Sequence, residues 1–166
     1  MTVKRSQELI RAFSSFDRVW EVEFDELKKM GWDDQLTHEF LLWRSEVNEE
    51  KISADLERER ISCITQNDTE YPTLLKEIYD PPLCLFVRGT LSHDQFPIAV
   101  VGTRRNSPYG KQVTEELVSG LARHGVTIVS GLALGIDGIA HEATVTAGGK
   151  TIAVLGGGVN DQHVYP

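Results

Sequence analysis

The sequence lacks the features that mark secreted, membrane-spanning or metal-binding proteins. Its two cysteines, Cys63 and Cys84, each lie in a short apolar run without CxxC spacing, so we expect buried free thiols rather than a disulfide framework or a zinc site. No segment approaches the roughly 20 apolar residues that span a bilayer. The N-terminal segment MTVKRSQELI has no long apolar core of a secretory signal. These absences predict a cytoplasmic protein.

Basic charge is also scarce, which at first counts against a nucleic-acid partner. The formal net charge is −8, but it is unevenly distributed. Residues 1–70 carry 17 acidic and 10 basic side chains, whereas residues 71–166 carry 8 and 7. The second half is therefore nearly neutral, and a few placed cations there can bind phosphates locally although they give little long-range steering.

The signatures of common nucleotide enzymes are missing. The first glycine loop, GTRRNSPYG, has a single glycine at its start instead of GxGxxG, and Ser130 ends the next strand where an acidic ribose-binding residue would be expected. Gly110 and Lys111 are followed by Gln112, so GxxxxGK[ST] does not occur. A nicotinamide-dependent enzyme and a P-loop ATPase are both disfavoured.

The residues that are present change in character near position 60. Apolar side chains at spacings of three and four predict helices from Ser6 to Arg60, and Asp33 and Asp34 are candidate N-caps before HEFLLW. A small helical module needs large anchors, so we expect its tryptophans to be core residues; they are Trp20, Trp32 and Trp43. We predict a small helical domain over residues 1–60.

Strand patterns dominate from residue 61 onward. Ile61–Thr65 and Leu83–Gly89 are predicted strands on either side of a short helix in YPTLLKEI, and Ser92–Pro97 is a predicted loop. Three further segments are apolar without alternation, which is typical of parallel strands covered on both faces. They are Ile98–Gly102, Val126–Gly131 and Thr151–Gly158. The fold class predicted for residues 61–166 is α/β, a Rossmann-like parallel sheet with flanking helices.

The segments between these strands fit crossover helices. Ser107 and Pro108 begin the first helix, Gly125 ends it, and its predicted inward face is Val113, Leu117 and Leu121. The predicted inward face of the second helix is Ala140, Ala143 and Ala147. Right-handed crossovers would bring all three glycine-rich loops to one edge of the sheet.

Those loops predict a phosphate site. Glycine allows backbone N–H groups to approach an oxyanion, Arg104 and Arg105 supply forked donors, and Lys150 before the third strand adds a point charge. Asp137 and His141, four residues apart, could bind a metal, but no third ligand is apparent and a structural pair is favoured.

Another residue of the first loop has two possible roles. Tyr109 could stack on a base or pack at the start of its helix, and both alternatives stay open.

Several motifs, in one order, resemble a known family. YPTLLKEIYDPPLCLFVRG, IAVVGTRRNSPYG, VTIVSGLALGIDGIAH, GKTIAVLGGG and the final VYP are similar to the DNA-processing protein A family, also called DprA or Smf, over residues 61–166. The resemblance implies an extended Rossmann-type fold without catalytic activity or cofactor. It also implies binding and protection of incoming single-stranded DNA in natural transformation, loading of the RecA recombinase onto that strand, and a homodimer in the full-length family.

The resemblance also implies site residues. A phosphate-binding loop falls on Gly102, Thr103 and Arg104, shaped by Ser107 and Gly110. A second loop carries further positions, which are Ser130, Gly131, Ala133, Gly135 and Asp137. Lys150 corresponds to a lysine beside the third strand. The family continues beyond this Tyr-Pro, so we expect a domain that is incomplete at its C-terminus.

Two other functions fit parts of the pattern. Phosphoribohydrolase-like enzymes have similar glycine-rich loops, but their PGGxGTxxE signature, which supplies an acidic catalytic group, does not occur here. A nucleotide-sensing module would bind mononucleotides and not oligonucleotides.

Overall fold

A computed structural model of the chain describes residues 3–91 and 96–160, which divide into two compact units, Met1–Leu85 and Phe86–Pro166. The predicted change from helices to strands near residue 60 occurs where it is expected. The compact units divide later, because the segment before the second strand bonds back to the first helix. Gln7 Nε2 donates to Asp80 Oδ1 and to the carbonyl oxygen of Pro81. A domain boundary at residue 60 stays a prediction.

Unit 1 begins with five helices. They are α1 (Val3–Phe13), α2 (Phe16–Trp20), α3 (Phe24–Lys29), α4 (Asp34–Glu46) and α5 (Glu49–Glu59). Their core is a cluster around Leu9, Leu27 and Trp32, in which the Trp32 ring lies edge-on to Phe40 at 5.6 Å. The prediction that all three tryptophans are core residues is wrong for Trp43, which is exposed at the outer side of α4.

Side-chain capping fixes where these helices start. Asp33 accepts a hydrogen bond from the Leu36 amide at 2.8 Å, which confirms it as the N-cap of α4, and Asp34 is the first helical residue. Asn48 caps α5 in the same way through the Lys51 amide.

Two strands and one short helix follow α5. They are β1 (Ile61–Thr65), α6 (Thr73–Lys76) and β2 (Cys84–Arg88), and β1 pairs with β2 in a two-stranded sheet. The expectation that both thiols are buried is wrong: Cys63 is exposed and Cys84 is half-buried. A two-stranded sheet does not enclose its strands on both faces, so an apolar run in it does not guarantee burial.

The second unit is built on a parallel sheet in the order β3-β4-β5. Its strands are β3 (Phe96–Ala99), β4 (Val126–Ser130) and β5 (Thr151–Ala153). Parallel pairing on both sides of β4, with Ile98 opposite Ile128 and Ile128 opposite Thr151, confirms the predicted α/β fold class.

The first strand of this sheet begins earlier than predicted. Phe96 and Pro97, predicted as loop, already pair with Val126 and Thr127, while residues 92–95 lie outside the described part of the chain. A proline is tolerated here because β3 is the outer strand, where one N–H can be lost from the ladder.

Two crossover helices pack on one face of this sheet. They are α7 (Pro108–Arg123) and α8 (Ile136–Thr146), which contact each other along their lengths and both contact β4. Val118, Ile128, Ala140 and Ala143 form the core between them. The small side chains of α8 allow this close approach, and β4 is the most buried strand.

Two predicted details of burial are wrong. The buried positions of α7 are Thr114, Val118 and Ala122; of the predicted inward face, Leu121 packs against the core, whereas Leu117 is exposed over 62% of its surface. The side of α7 that carries Val118 is buried because α8 packs against it. Side chains of β3 and β5 are only partly covered, so burial on both faces holds for the central strand alone.

No helix in the described ranges, 3–91 and 96–160, is long and apolar enough to cross a membrane.

Candidate functional site

The carboxyl ends of the three parallel strands border one cleft of about 220 Å³. Its lining comes from the loops after β3, β4 and β5, and comprises Arg104, Gly131, Leu132, Ala133, Leu134, Leu155, Gly156 and Gly157. The prediction that the glycine-rich loops meet at one edge of the sheet is confirmed. One cation faces three leucines across this cleft.

The loop after β3 is held by its own hydroxyl groups. Thr103 Oγ1 accepts a hydrogen bond from the Arg105 amide at 3.1 Å, and Ser107 Oγ accepts one from the Gly110 amide at 3.1 Å. Ser107 is thereby the N-cap of α7, as predicted, and with Gly110 it shapes the turn. This arrangement leaves Arg104 exposed beside the cleft.

The two arginines differ in position. Arg104 lines the cleft and Arg105, also exposed, does not. Within residues 3–91 and 96–160 no acidic side chain forms an ion pair with Arg104. Its guanidinium can therefore meet an external anion without first breaking a salt bridge.

The loop after β4 adopts an unusual backbone. Leu132 has a φ of 55° and Gly135 a φ of 86°. A left-handed leucine costs free energy, and such strain concentrates at functional sites. Leu132 and the exposed Leu134 thereby reach the cleft wall.

The loops after β3 and β4 are in direct contact through Gly135. A Cβ atom there would meet the carbonyl oxygen of Thr103 and lie 2.8 Å from the Arg104 Cα. The Ile136 amide donates to the Thr103 carbonyl oxygen at 3.2 Å. The first loop, and Arg104 with it, therefore rests on the start of α8.

A buried carboxylate also joins the two loops. Asp137 is 7% exposed; its Oδ1 accepts a hydrogen bond from the Gly102 amide at 3.2 Å and its Oδ2 one from the Gly131 amide at 3.2 Å. Both N–H groups are therefore bonded within the protein, and the role toward a ligand phosphate that the sequence predicted for these amides stays a prediction. Gly138 N–H is likewise bonded, to the Ala133 carbonyl oxygen at 2.9 Å.

Ser130 is also committed internally. Its side chain is buried, and its hydroxyl donates to the Val100 carbonyl oxygen at 2.6 Å across the sheet. The residue supports the pairing of β3 and β4 and offers no hydroxyl hydrogen to a ligand.

Lys150 is not at this edge of the sheet. It precedes β5, and its carbonyl oxygen accepts from the Ile128 amide, whereas Arg104 follows the carboxyl end of β3. In a parallel sheet the start of one strand and the end of its neighbours lie at opposite edges. The expectation that Lys150 and Arg104 form one cradle is therefore corrected by the topology.

His141 is buried one turn after Asp137, and the two side chains have different partners. Its Nδ1 lies 2.6 Å from Thr151 Oγ1, whose hydroxyl donates to the Ile128 carbonyl oxygen, so Nδ1 carries the hydrogen. Its Nε2 has no hydrogen-bond partner among the described residues. No group of three potential metal ligands occurs in the described ranges, and the choice between a metal site and a structural pair stays a prediction.

Burial lowers the pKa of His141, and the nearby Ser130 carbonyl and Asp137 carboxylate oppose that effect only partly. The unfolded chain then binds the proton more readily than the native chain, so stability is full above the unfolded pKa of about 6.5 and is lost as pH falls through the lower native pKa. We expect the melting temperature to fall more steeply with acidification in the wild type than in His141→Gln. Thermal unfolding monitored by circular dichroism between about pH 7.5 and pH 5 tests this, and parallel curves would contradict it.

Three leucines of the cleft were missed by the sequence, and the role of Tyr109, which is not among the lining residues, was left undecided. Leu132, Leu134 and Leu155 line the cleft, and the only signal for them was their place between glycines in SGLALGID and VLGGG. Tyr109, in the first turn of α7, is 75% exposed, so the alternative that it packs at the start of its helix is disfavoured.

Comparison with known proteins identifies the family of this chain. The family model described as DNA recombination-mediator protein A matches residues 62–166. The chain belongs to this family. DNA processing protein DprA of Bacillus subtilis is 45% identical over 118 residues, covering 70% of this chain and 39% of that protein.

Two further relatives extend the match over the helical unit. Protein Smf of Synechocystis is 32% identical over 164 residues, which is 95% of this chain and 41% of that protein. The X-ray structure of DprA from Streptococcus pneumoniae matches with a TM-score of 0.76 and 32% identity, covering 99% of this chain and 56% of that one. The chain thus spans about two fifths of the length of these curated relatives.

Proposed function

We propose that this chain binds single-stranded DNA at the carboxyl edge of the parallel sheet, without turnover. The observation that carries the proposal is a cleft lined by apolar side chains and by the exposed Arg104, which has no ion-pair partner in residues 3–91 and 96–160, in a member of the recombination-mediator family. Arg104 contacts a backbone phosphate. The leucines of the cleft and the exposed Tyr109 face the bases.

The chemistry of the cleft favours an unpaired strand over other ligands. Base faces are buried by stacking and pairing in a duplex, whereas in a single strand they are free to contact apolar and aromatic side chains. The volume of about 220 Å³ is below the roughly 300 Å³ or more of pockets that enclose a whole small ligand. A cleft of this size can hold one segment of a longer ligand, the rest of which lies on the protein surface.

The lining also favours binding over catalysis. Among the described residues, Arg104 is the one ionisable side chain that lines the cleft, and arginine is not deprotonated in proteins. The Asp137 carboxylate and the His141 ring are buried and held by internal hydrogen bonds. A phosphoribohydrolase would need an acidic group at the reacting sugar, and none lines this cleft in the described ranges.

An oligonucleotide titration tests the proposal. Fluorescence anisotropy with labelled single- and double-stranded oligonucleotides of the same sequence, at about 50 and 200 mM salt, should give tighter binding to the single strand that weakens with salt. Equal affinity for both forms, or no salt dependence, would contradict the proposed mode of binding.

Two further measurements separate the alternatives. Displacement of the oligonucleotide by a mononucleotide at comparable concentration would favour a nucleotide sensor. Release of free base from a nucleoside monophosphate above the rate without protein would favour the enzyme. We expect neither.

Loading of RecA and dimerisation are predictions that come from the family resemblance. We propose that the strand held at the cleft is the one passed to the recombinase. A pull-down of RecA by this chain, with and without single-stranded DNA, tests whether the chain binds the recombinase and whether that binding needs the strand.

A further inference from the structure

The Asp137 carboxylate occupies the position at which this type of fold offers an anion site. Where parallel strands end in glycine loops and a helix begins, free amides and the helix dipole ordinarily bind a phosphate. Here the amides of Gly102 and Gly131, one from each loop, donate to the two carboxylate oxygens of Asp137 at 3.2 Å each.

The Asp137 carboxylate offsets the positive helix end at this anion position, and the side chains of Asp137 and Ile136 also occupy the position sterically. A Cβ atom on Gly131 would lie 2.9 Å from Asp137 Oδ2, and one on Gly102 would lie 2.7 Å from the Ile136 side chain. Asp137 itself is 7% exposed. The Asp137 and Ile136 side chains therefore lie directly against the glycine positions of the two loops.

We propose that Asp137 is an internal substitute for a phosphate: it closes the inner anion position, joins the two loops and thereby positions Arg104 to take the ligand phosphate from the cleft side. This inference rests on the proposed function for its DNA-binding consequence, and on the geometry alone for the structural role. By this inference, the residues that contact the DNA are those that line the cleft, and the loop amides bonded to Asp137 do not contact it. The helix N-terminus then acts as scaffold rather than as ligand.

The inference predicts rescue of a truncated side chain by a small anion. Asp137→Ala removes a group of the size and charge of formate. In chloride we expect this variant to melt several degrees below the wild type and to bind single-stranded DNA about tenfold more weakly. Sodium formate at the same ionic strength should raise its melting temperature and restore part of its affinity, with little effect on the wild type.

Two control variants sharpen the test. Asp25, in the first turn of α3, is an exposed acidic residue at a helix start, and Asp25→Ala should show no formate-specific change. Asp137→Asn keeps the shape, but it turns an NH₂ group toward one of the two amides and leaves no room for formate. It should lose stability without rescue.

The outcomes separate this inference from the proposed function. Equal effects of formate and chloride on the Asp137→Ala melting temperature would overturn the anion-position role, whether or not the wild type binds DNA. Rescue of melting in a protein that binds no DNA would leave that role standing while the proposed function fails. If Asp137→Ala folds in neither salt, Asp137→Asn decides: wild-type melting temperature and affinity in that variant would overturn the inference.

Discussion

Gly135→Ala is expected to destabilise the second unit by about 3 kcal/mol or more. Its φ of 86° with a ψ of −132° lies in a region that side chains avoid, at a cost of about 1–3 kcal/mol. The added Cβ would also press on the backbone of Thr103 and Arg104, and overpacking of this kind costs a further 1–3 kcal/mol or so. Thermal unfolding should show a fall of about 10 °C or more for a unit of this size.

Substitutions at two other glycines distinguish the cost of backbone strain from the cost of steric contact by the added Cβ atom. Gly148 has a φ of 73° but open space around its Cβ position, so Gly148→Ala should cost only about 1 kcal/mol. Gly120 lies within α7 with neither constraint, and Gly120→Ala should stabilise by about 0.5–1 kcal/mol. A Gly135→Ala loss no larger than that of Gly148→Ala would contradict the contact between the loops.

Arg104→Ala is expected to weaken binding of single-stranded DNA about tenfold at low salt, on every sequence tested. Arg104 is the cation of the cleft lining, and a phosphate contact carries no sequence information. Loss of one such contact should make the slope of log affinity against log salt shallower by about 0.7. Anisotropy titrations at four or more salt concentrations would measure both quantities.

Matched substitutions of other basic residues decide whether position or charge matters. Arg123, exposed at the far end of α7, and Lys150, at the opposite edge of the sheet, should each change affinity less than about twofold when replaced by alanine. Arg104→Lys should keep most of the salt slope and lose part of the affinity, because lysine has the charge without the forked donors. Equal losses for Lys150→Ala and Arg104→Ala would overturn the assignment of the site to one edge.

Local sequence signals predicted several helix starts and one strand of this chain well, whereas β3 begins two residues before its predicted start and β5 ends at Ala153 rather than at Gly158. Ser107 and Asp33 cap the helices that they were predicted to cap, and Ile61–Thr65 is a strand with the predicted bounds. These features depend on near neighbours in the chain, through a side chain bonding to an amide three residues on or through a run of β-branched residues. The exposure of Cys63 and Leu117 was not predictable in this way, since it depends on which distant element covers each face.

The candidate site likewise has features that the sequence predicted and features that it did not. The sequence predicted a site at these loops with Arg104, but it did not predict that the Gly102 and Gly131 amides donate to Asp137, and the role of these three residues toward a ligand stays a prediction. A glycine amide and a carboxylate 35 residues apart have no sequence pattern that marks them as partners.

Sequence by itself determined the fold class, the family and the gathering of the glycine-rich loops at one edge of the sheet, because strand periodicity, glycine positions and crossover handedness are properties of the chain read in order. Only the tertiary structure decided which groups face the cleft. Lys150 lies at the start of β5, away from the carboxyl edge of the sheet. Ser130 and two loop amides form internal hydrogen bonds, and Arg104 lines the cleft and is exposed to a ligand. Whether a polar group is available depends on its distance to partners that are remote in sequence, and that distance exists only in the folded molecule.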